Sequence, residues 1–221
     1  AIEDFMRPNR VIIGCENEKA KKIMENIYQP LNLIQTPILF TDLKSAELIK
    51  YASNAFLAMK ISFINQMADL CESLNTDIHF ISRGMGLDKR IGDKFLHPGP
   101  GYGGSCFPKD TIALSKIASD NNVDLSIINN VISYNKNRKK SLVKKINHIL
   151  GNDIKDTSVA VLGLSFKPGT DDMRESPSLD LIPSLVENAK EIKVYDPIAM
   201  DEASKYIKDV YFSNNVEYCI E

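Results

Sequence analysis

The sequence predicts an α/β protein: a long-helix central domain, expected to dimerise, followed by a partial domain of parallel strands and helices. Three observations carry that expectation. A helical apolar pattern runs from about Thr41 to Leu74. After Gly151 the pattern changes to short continuous apolar runs separated by a helix. The opening holds one apolar run and one helix, which cannot form a core alone. The resulting boundaries are 1–40, the end of one domain; 41–150, the central helical domain; and 151–221, an α/β domain.

In chain order, Arg10 to Gly14 reads as a buried strand, and Asn17 to Tyr28 as a helix that ends before Pro30. The long helix carries Leu48, Ile49, Ala52, Phe56, Met59, Phe63, Met67 and Leu70 on a broad apolar stripe. At 1.5 Å per residue it is roughly 50 Å long. A helix that long and that apolar crosses a whole domain or packs against a partner subunit, so a homodimer through it is expected. The glycine- and proline-rich loop His97 to Ser105 precedes helical patterns at about Lys109 to Asn121 and Asp124 to Leu150. Ser158 to Gly163 is a continuous apolar strand. Ser176-Pro177 opens a helix with a good N-cap and a proline in the first turn. Ile192 to Asp196 and Val210 to Phe212 add two short strands, giving a βαβ order with parallel pairing. The pattern stops at Glu221 before a doubly wound sheet is complete, so both ends read as truncated.

Composition narrows the function classes. With 43% hydrophobic and 25% charged residues the chain has material for one large or two modest cores. A net charge of -2 without long single-sign runs gives no basic stripe for nucleic acid. No apolar run is long enough to span a bilayer, and the first ten residues have no leader pattern, so no membrane partner and a cytoplasmic location are expected. Cys15, Cys71, Cys106 and Cys219 are scattered without a CxxC pair, which predicts reduced thiols. His79, His97 and His148 are equally scattered, and no metal is expected.

The most informative stretch is Gly99-Pro100-Gly101-Tyr102-Gly103-Gly104-Ser105-Cys106-Phe107-Pro108-Lys109-Asp110. Closely spaced glycines let backbone approach a ligand, and the run delivers a thiol to the start of a helix. A helix N-terminus favours the thiolate, and Lys109 adds charge in the same sense. Asp110 lies four residues on and shares a helical face with Cys106. The bland alternative is a turn followed by a buried, inert cysteine. Lys50 and Asn54, at i and i+4 on the long helix, also share a face. Their ordinary reading is a solvated lysine and a surface asparagine.

The string from Gly101 to Asp110 resembles the active-site segment of the UDP-glucose/GDP-mannose dehydrogenase family, and in particular its UDP-glucose 6-dehydrogenases. The similarity extends along the chain. Ala1-Ile2-Glu3-Asp4-Phe5 and Pro8 to Gly14 resemble the end of the family's cofactor domain. Gly163-Leu164-Ser165-Phe166-Lys167-Pro168 with Asp171, Asp172, Arg174, Glu175 and Ser176 resembles the entry to its UDP-binding, Rossmann-like domain. The resemblance implies an NAD-dependent, two-step oxidation of UDP-glucose to UDP-glucuronate through a thiohemiacetal and a thioester on Cys106. It implies that Lys50 and Asn54 surround the reacting carbon and that Asp110 orients or activates the hydrolytic water.

Substrate contacts implied by the resemblance are Lys50, Asn54, Phe95, Leu96, His97, Pro98, Gly99, Gly103, Phe166 and Lys167, with Arg90 reaching the partner subunit's site. Lys109 and Arg174 match positions that touch NAD from outside its own domain. Each has a plain reading too: Phe95 as a core aromatic, Arg90, Lys109 and Arg174 as surface charges, Asp110 as a first-turn acid on the helix dipole. The family's glycine-rich dinucleotide fingerprint is not in the sequence, and Gly163 to Gly169 is not GxGxxG. The segment alone is therefore expected not to turn over NAD. The rivals are a GDP-mannose or UDP-N-acetylhexosamine 6-dehydrogenase and a non-catalytic module that binds nucleotide sugars and dimerises.

Overall fold

Val11–Gly14 forms strand β1, Glu18–Tyr28 helix α1 and Ile38–Thr41 strand β2. The computed structural model describes residues 6–30 and 36–221, the side chains of 152 and 153 excepted. The segment Ala1 to Phe5 lies outside the described residues. Two units emerge, Ala1–Ser53 and Asn54–Glu221.

In the first unit β1 and β2 pair in parallel, with Val11 opposite Ile38 and Gly14 opposite Thr41. Asn17 starts α1 in an extended conformation, and its side chain accepts the Ala20 N–H at 2.8 Å, as a helix N-cap should. Val11 and Ile13 point to one face, as period-two alternation requires, and pack with Met24, Tyr28, Ile38 and Phe40. The sequence reading did not assign β2. It is four residues long and runs almost directly into the next helix, so it leaves little alternation to detect.

Helix α2 spans Leu43–Ser73, 31 residues, or about 46 Å. It begins in the first unit and continues into the second. Its buried face differs in kind from the expected stripe. Ala55, Ala58, Ser62, Asn65, Ala68 and Cys71, spaced three or four apart, form the inner face with Ile64. Small residues there let neighbouring backbone come close. The large apolar side chains Phe56, Phe63 and Leu70 lie outside, 56%, 44% and 49% exposed.

The second unit continues with α3 (Ile78–Gly86), α4 (Phe107–Asp120), α5 (Ser126–Leu150) and a 3-10 turn over Gly151–Asp156. Then come β3 (Ser158–Leu162), α6 (Ser178–Val186), β4 (Glu191–Tyr195), α7 (Met200–Ala203), β5 (Tyr211–Phe212) and α8 (Val216–Ile220). The sheet order is β3-β4-β5, parallel throughout, as the βαβ order predicts. Its core is built from Leu164, Ile182, Leu185, Ile192, Val194 and Ile207. Helix α6 starts one residue later than the sequence suggests, with Pro177 rather than Ser176 in the cap position. Pro177 already has helical dihedrals, and Ser176 Oγ accepts the Ser178 N–H at 3.3 Å. The same hydroxyl donates to the Leu164 carbonyl at 2.6 Å, which ties α6 to the end of β3.

Helices α2 and α5 are cross-linked by charge. Asp69 of α2 accepts from Arg138 and from Lys145 at 2.8 Å, and Lys145 also reaches Glu72 at 2.7 Å. Burial pushes the Asp69 carboxyl up, but the hydrogen bonds from Lys145 and Arg138 outweigh it and hold the group below its ordinary value.

Candidate active site

The loop from His97 to Ser105 has no strand partner, so its buried peptide groups must be paired by side chains. Asn65 of α2 accepts the Gly99 N–H at 2.7 Å, and Arg138 of α5 donates to the Gly99 carbonyl at 3.1 Å. Asn135 of α5 accepts the Tyr102 N–H at 2.8 Å and returns an N–H to the Tyr102 carbonyl at 3.0 Å. The loop is thus held on both peptide faces at two points. Sequence reasoning missed all three residues.

Gly103 and Gly104 answer to close approach. A Cβ on Gly103 would lie 2.2 Å from the Glu175 carbonyl oxygen; one on Gly104 would lie 2.6 Å from the Phe166 ring. Gly104 also has φ +78, where a side chain is strained. Its N–H donates to the Arg174 carbonyl at 2.9 Å. Backbone at 103–104 is therefore packed directly against the 174–175 backbone and the Phe166 ring.

This loop delivers Cys106 to the N-cap position of α4. Among the four cysteines, all free, Cys106 is the exposed one. One turn on, Asp110 is 1% exposed. Its Oδ2 accepts from Asn54 Nδ2 at 2.6 Å, so the pair expected from two separate motifs meets. Its Oδ1 is buried without a hydrogen-bond partner among the described residues, and Lys109 Nζ stands 3.6 Å away. That oxygen is a buried hydrogen-bond acceptor beside a cation. Lys50 is exposed on α2, one turn before Asn54, and belongs to the first unit.

A cavity of about 420 Å³ lies against the loop. Phe95, His97, Gly99, Gly103, Phe166 and Lys167, all singled out from the sequence, line it together with Tyr102 and Phe107. Phe95 adopts φ +64 and meets Phe107 edge to face at 6.0 Å, so it is a wall rather than a core aromatic. Two neighbours differ. The Leu96 side chain is fully buried, and its carbonyl accepts from Ser82 Oγ at 2.6 Å. Pro98 faces a second hollow with His79, Arg83 and Leu87. His97 lines both hollows and stands between them.

The far wall is set by Asp196 at the end of β4. Its carboxylate accepts the N–H groups of Leu164, Ser165, Ile198 and Ala199, fixing the turn that carries Phe166 and Lys167. Burial raises this carboxyl, and the four backbone hydrogen bonds more than offset it, leaving it below its ordinary value. Such a turn at the carboxyl end of parallel strands is where open α/β sheets place ligands.

The cations divide by role. Arg90 is exposed and forks onto Asp88. Arg174 is exposed and forks onto Asp172 at 2.8 and 2.7 Å, which holds its guanidinium above the ordinary value; the Cys106 charge contributes in the same direction. Arg174 thus pairs with Asp172 while its carbonyl meets the Gly104 N–H, whereas Lys109 faces Asp110. Among the described residues no helix is long and apolar enough to cross a membrane, and no group of three metal-ligating side chains converges.

With this geometry in place, comparison with known proteins is specific. Residues 44–137 match the central-domain model of the UDP-glucose/GDP-mannose dehydrogenase family, and residues 160–221 match that family's UDP binding domain. The chain is 49% identical over 210 residues to a UDP-glucose 6-dehydrogenase of Rhizobium meliloti (strain 1021), covering 94% of this chain and 48% of that protein. It superposes on a UDP-glucose dehydrogenase of Pyrobaculum islandicum with a TM-score of 0.93 at 37% identity, covering 100% of this chain and 50% of that one. A UDP-D-ManNAc dehydrogenase of Pyrococcus horikoshii gives a TM-score of 0.81 at 27% identity, covering 100% and 49%. The chain spans about half the length of the relatives it matches.

Proposed function

Because the chain belongs to the UDP-glucose/GDP-mannose dehydrogenase family, we propose that the whole protein is a cytoplasmic, NAD-dependent UDP-glucose 6-dehydrogenase with Cys106 as its nucleophile. The observation that carries this reading is the exposed Cys106 at the head of α4 with the Asn54–Asp110 hydrogen bond of 2.6 Å one turn behind it. The domain division 1–40, 41–150 and 151–221 belongs to the same proposal, supported by the limits of the two family models.

Oxidising a primary alcohol to a carboxylate removes two hydrides, and the aldehyde in between has no hydride it can readily give until a nucleophile adds. NAD, when bound, is the hydride acceptor for both oxidations. The exposed cations Lys109, three residues after Cys106, and Arg174, whose carbonyl accepts the Gly104 N–H, are assigned to the phosphates of NAD. The Cys106 thiolate adds to the C6 aldehyde: a C–S bond forms and the carbonyl electron pair moves to oxygen. Asn54 and Lys50 are the donors assigned to that developing charge. Loss of the remaining C6 hydride leaves a thioester. Water then attacks the thioester carbon and the C–S bond breaks. Asp110 accepts one proton of that water and later returns it to solvent; the sulfur departs as the Cys106 thiolate, and the carboxylic acid formed loses the second proton and leaves as the carboxylate.

The cavity walled by Phe95, Phe166 and Lys167 is assigned to the nucleotide sugar. The exposed row Phe56, Phe63 and Leu70, seven residues apart on α2, supports a homodimer through that helix. Arg90, exposed on its turn, is assigned to the partner's site. Titration of UDP-glucose, UDP-N-acetylglucosamine and GDP-mannose into the whole protein, with Lys167→Ala alongside, tests the ligand. UDP-glucose should bind tightest and lose affinity in K167A. Preference for either other sugar nucleotide moves the reading to a sister dehydrogenase.

A further inference from the structure

Lys139 is the most deeply buried lysine side chain of the charge network on α5, 5% exposed, and the reaction as derived does not use it. Its Nζ donates to the Glu175 carbonyl at 3.0 Å and approaches Glu175 Oε2 at 3.2 Å and Asp180 Oδ2 at 3.4 Å. An ammonium placed there must do more than cross-link helices, because burying it costs much of what the ion pairs return. The carbonyl it holds is the one lying against Gly103 Cα. Glu175 also sits at φ +53, a conformation a non-glycine residue keeps only where surroundings enforce it. The adjoining Arg174 carbonyl accepts from Gly104 N–H, so the two peptides form one clamp on the cysteine loop.

We propose that Lys139 is a positioning residue: by pinning the Glu175 carbonyl it holds the 174–175 peptides on Gly103 and Gly104, and so fixes Arg174 against the loop that delivers Cys106. The proposal rests on the reading of Cys106 as the working thiol. The Gly104 N–H that the Arg174 carbonyl accepts lies two residues before Cys106, so a loosened clamp lets Arg174, with Asp172, move relative to the thiol.

The test compares Lys139→Met and Lys139→Arg with Val194→Ala, which weakens the sheet core without touching the clamp. Two readouts are taken on the whole protein: hydrogen exchange at the Gly104 amide, and the pH profile of Cys106 alkylation by iodoacetamide. K139M should exchange Gly104 about tenfold faster or more and alkylate Cys106 about threefold more slowly near pH 7, with the profile shifted upward. K139R should recover most of both. If K139M does not fold, Lys139→Gln, a donor on a shorter arm, should show the same changes at smaller size. Unchanged Gly104 protection in K139M, or the same changes in V194A, overturns the proposal. Should Cys106 of the unaltered protein alkylate no faster than Cys15, the catalytic reading fails by itself, and the Gly104 amide still decides whether Lys139 holds the clamp.

Discussion

Replacing Asn135 with alanine removes the amide that pairs both the N–H and the carbonyl of Tyr102, 2.8 and 3.0 Å away. Tyr102 is 5% exposed and Asn135 7%, so neither peptide group has ready access to solvent. Each buried polar group left unpaired costs about 1 to 3 kcal/mol, which puts the pair at about 2 to 6 kcal/mol. A water admitted to the vacated space would return part of that, and about 3 kcal/mol is the expected loss. Asn129 on the same helix is the control. Its Oδ1 accepts from Ser115 in an exposed bond of 2.6 Å, and Asn129→Ala should cost under about 0.5 kcal/mol. Urea unfolding followed by circular dichroism measures both. Because the Tyr102 loop lines the cavity, N135A should also weaken UDP-glucose binding while N129A leaves it alone. An N135A midpoint within error of the parent, or equal losses in the two variants, would refute the claim that side-chain amides hold this loop.

Further outcomes follow from the same geometry. Gly104→Ala combines a left-handed φ with a Cβ 2.6 Å from the Phe166 ring. It should lose about 2 to 4 kcal/mol in thermal or urea unfolding, more than Gly84→Ala, whose Cβ meets nothing within 4 Å. The Asp196 carboxyl is held below the ordinary value of 3.8, so the folded form binds its proton only at lower pH than the unfolded chain. Its contribution to stability is in full force above about pH 4 and disappears as pH falls through the folded value. Asp196→Asn should therefore flatten the acid limb of a plot of melting temperature against pH, and an unchanged limb would count against the carboxylate as the anchor of the 163–167 turn. Phe63→Lys places a charge in the exposed row of α2; if the proposed dimer forms through this row, sedimentation should show the variant at lower mass than the parent at equal concentration, and equal masses would count against that interface.

Much of the site was legible because it is local in sequence. The glycines, Cys106 and Asp110 fall within ten residues, and a helix start after such a run is readable from residue types alone. Asn54 was singled out by motif, but its bond to Asp110 crosses 56 positions and is a tertiary fact. The residues that hold the loop were hidden by their chemistry. In Asn135-Lys136-Asn137-Arg138-Lys139-Lys140 a run of polar and basic types reads as a solvated helix face, yet Asn135, Arg138 and Lys139 are buried. Their one local signal is spacing: with Val131 they recur at four, three and one, continuing an apolar face with polar groups. The partners that justify burial lie 33 to 39 positions away, which no local pattern shows. The long helix misled in a similar way. Its large apolar residues suggest the packed face, whereas Ala55, Ala58 and Ala68 occupy it and the phenylalanines remain outside.

The most direct test of the account is the number of NADH formed per UDP-glucose consumed by the whole protein, with Cys106→Ala measured beside it. The account predicts two NADH per sugar and no more than one from C106A, because the second oxidation needs the sulfur adduct. A stoichiometry of one, or two retained in C106A, would contradict Cys106 as the carrier of the thioester.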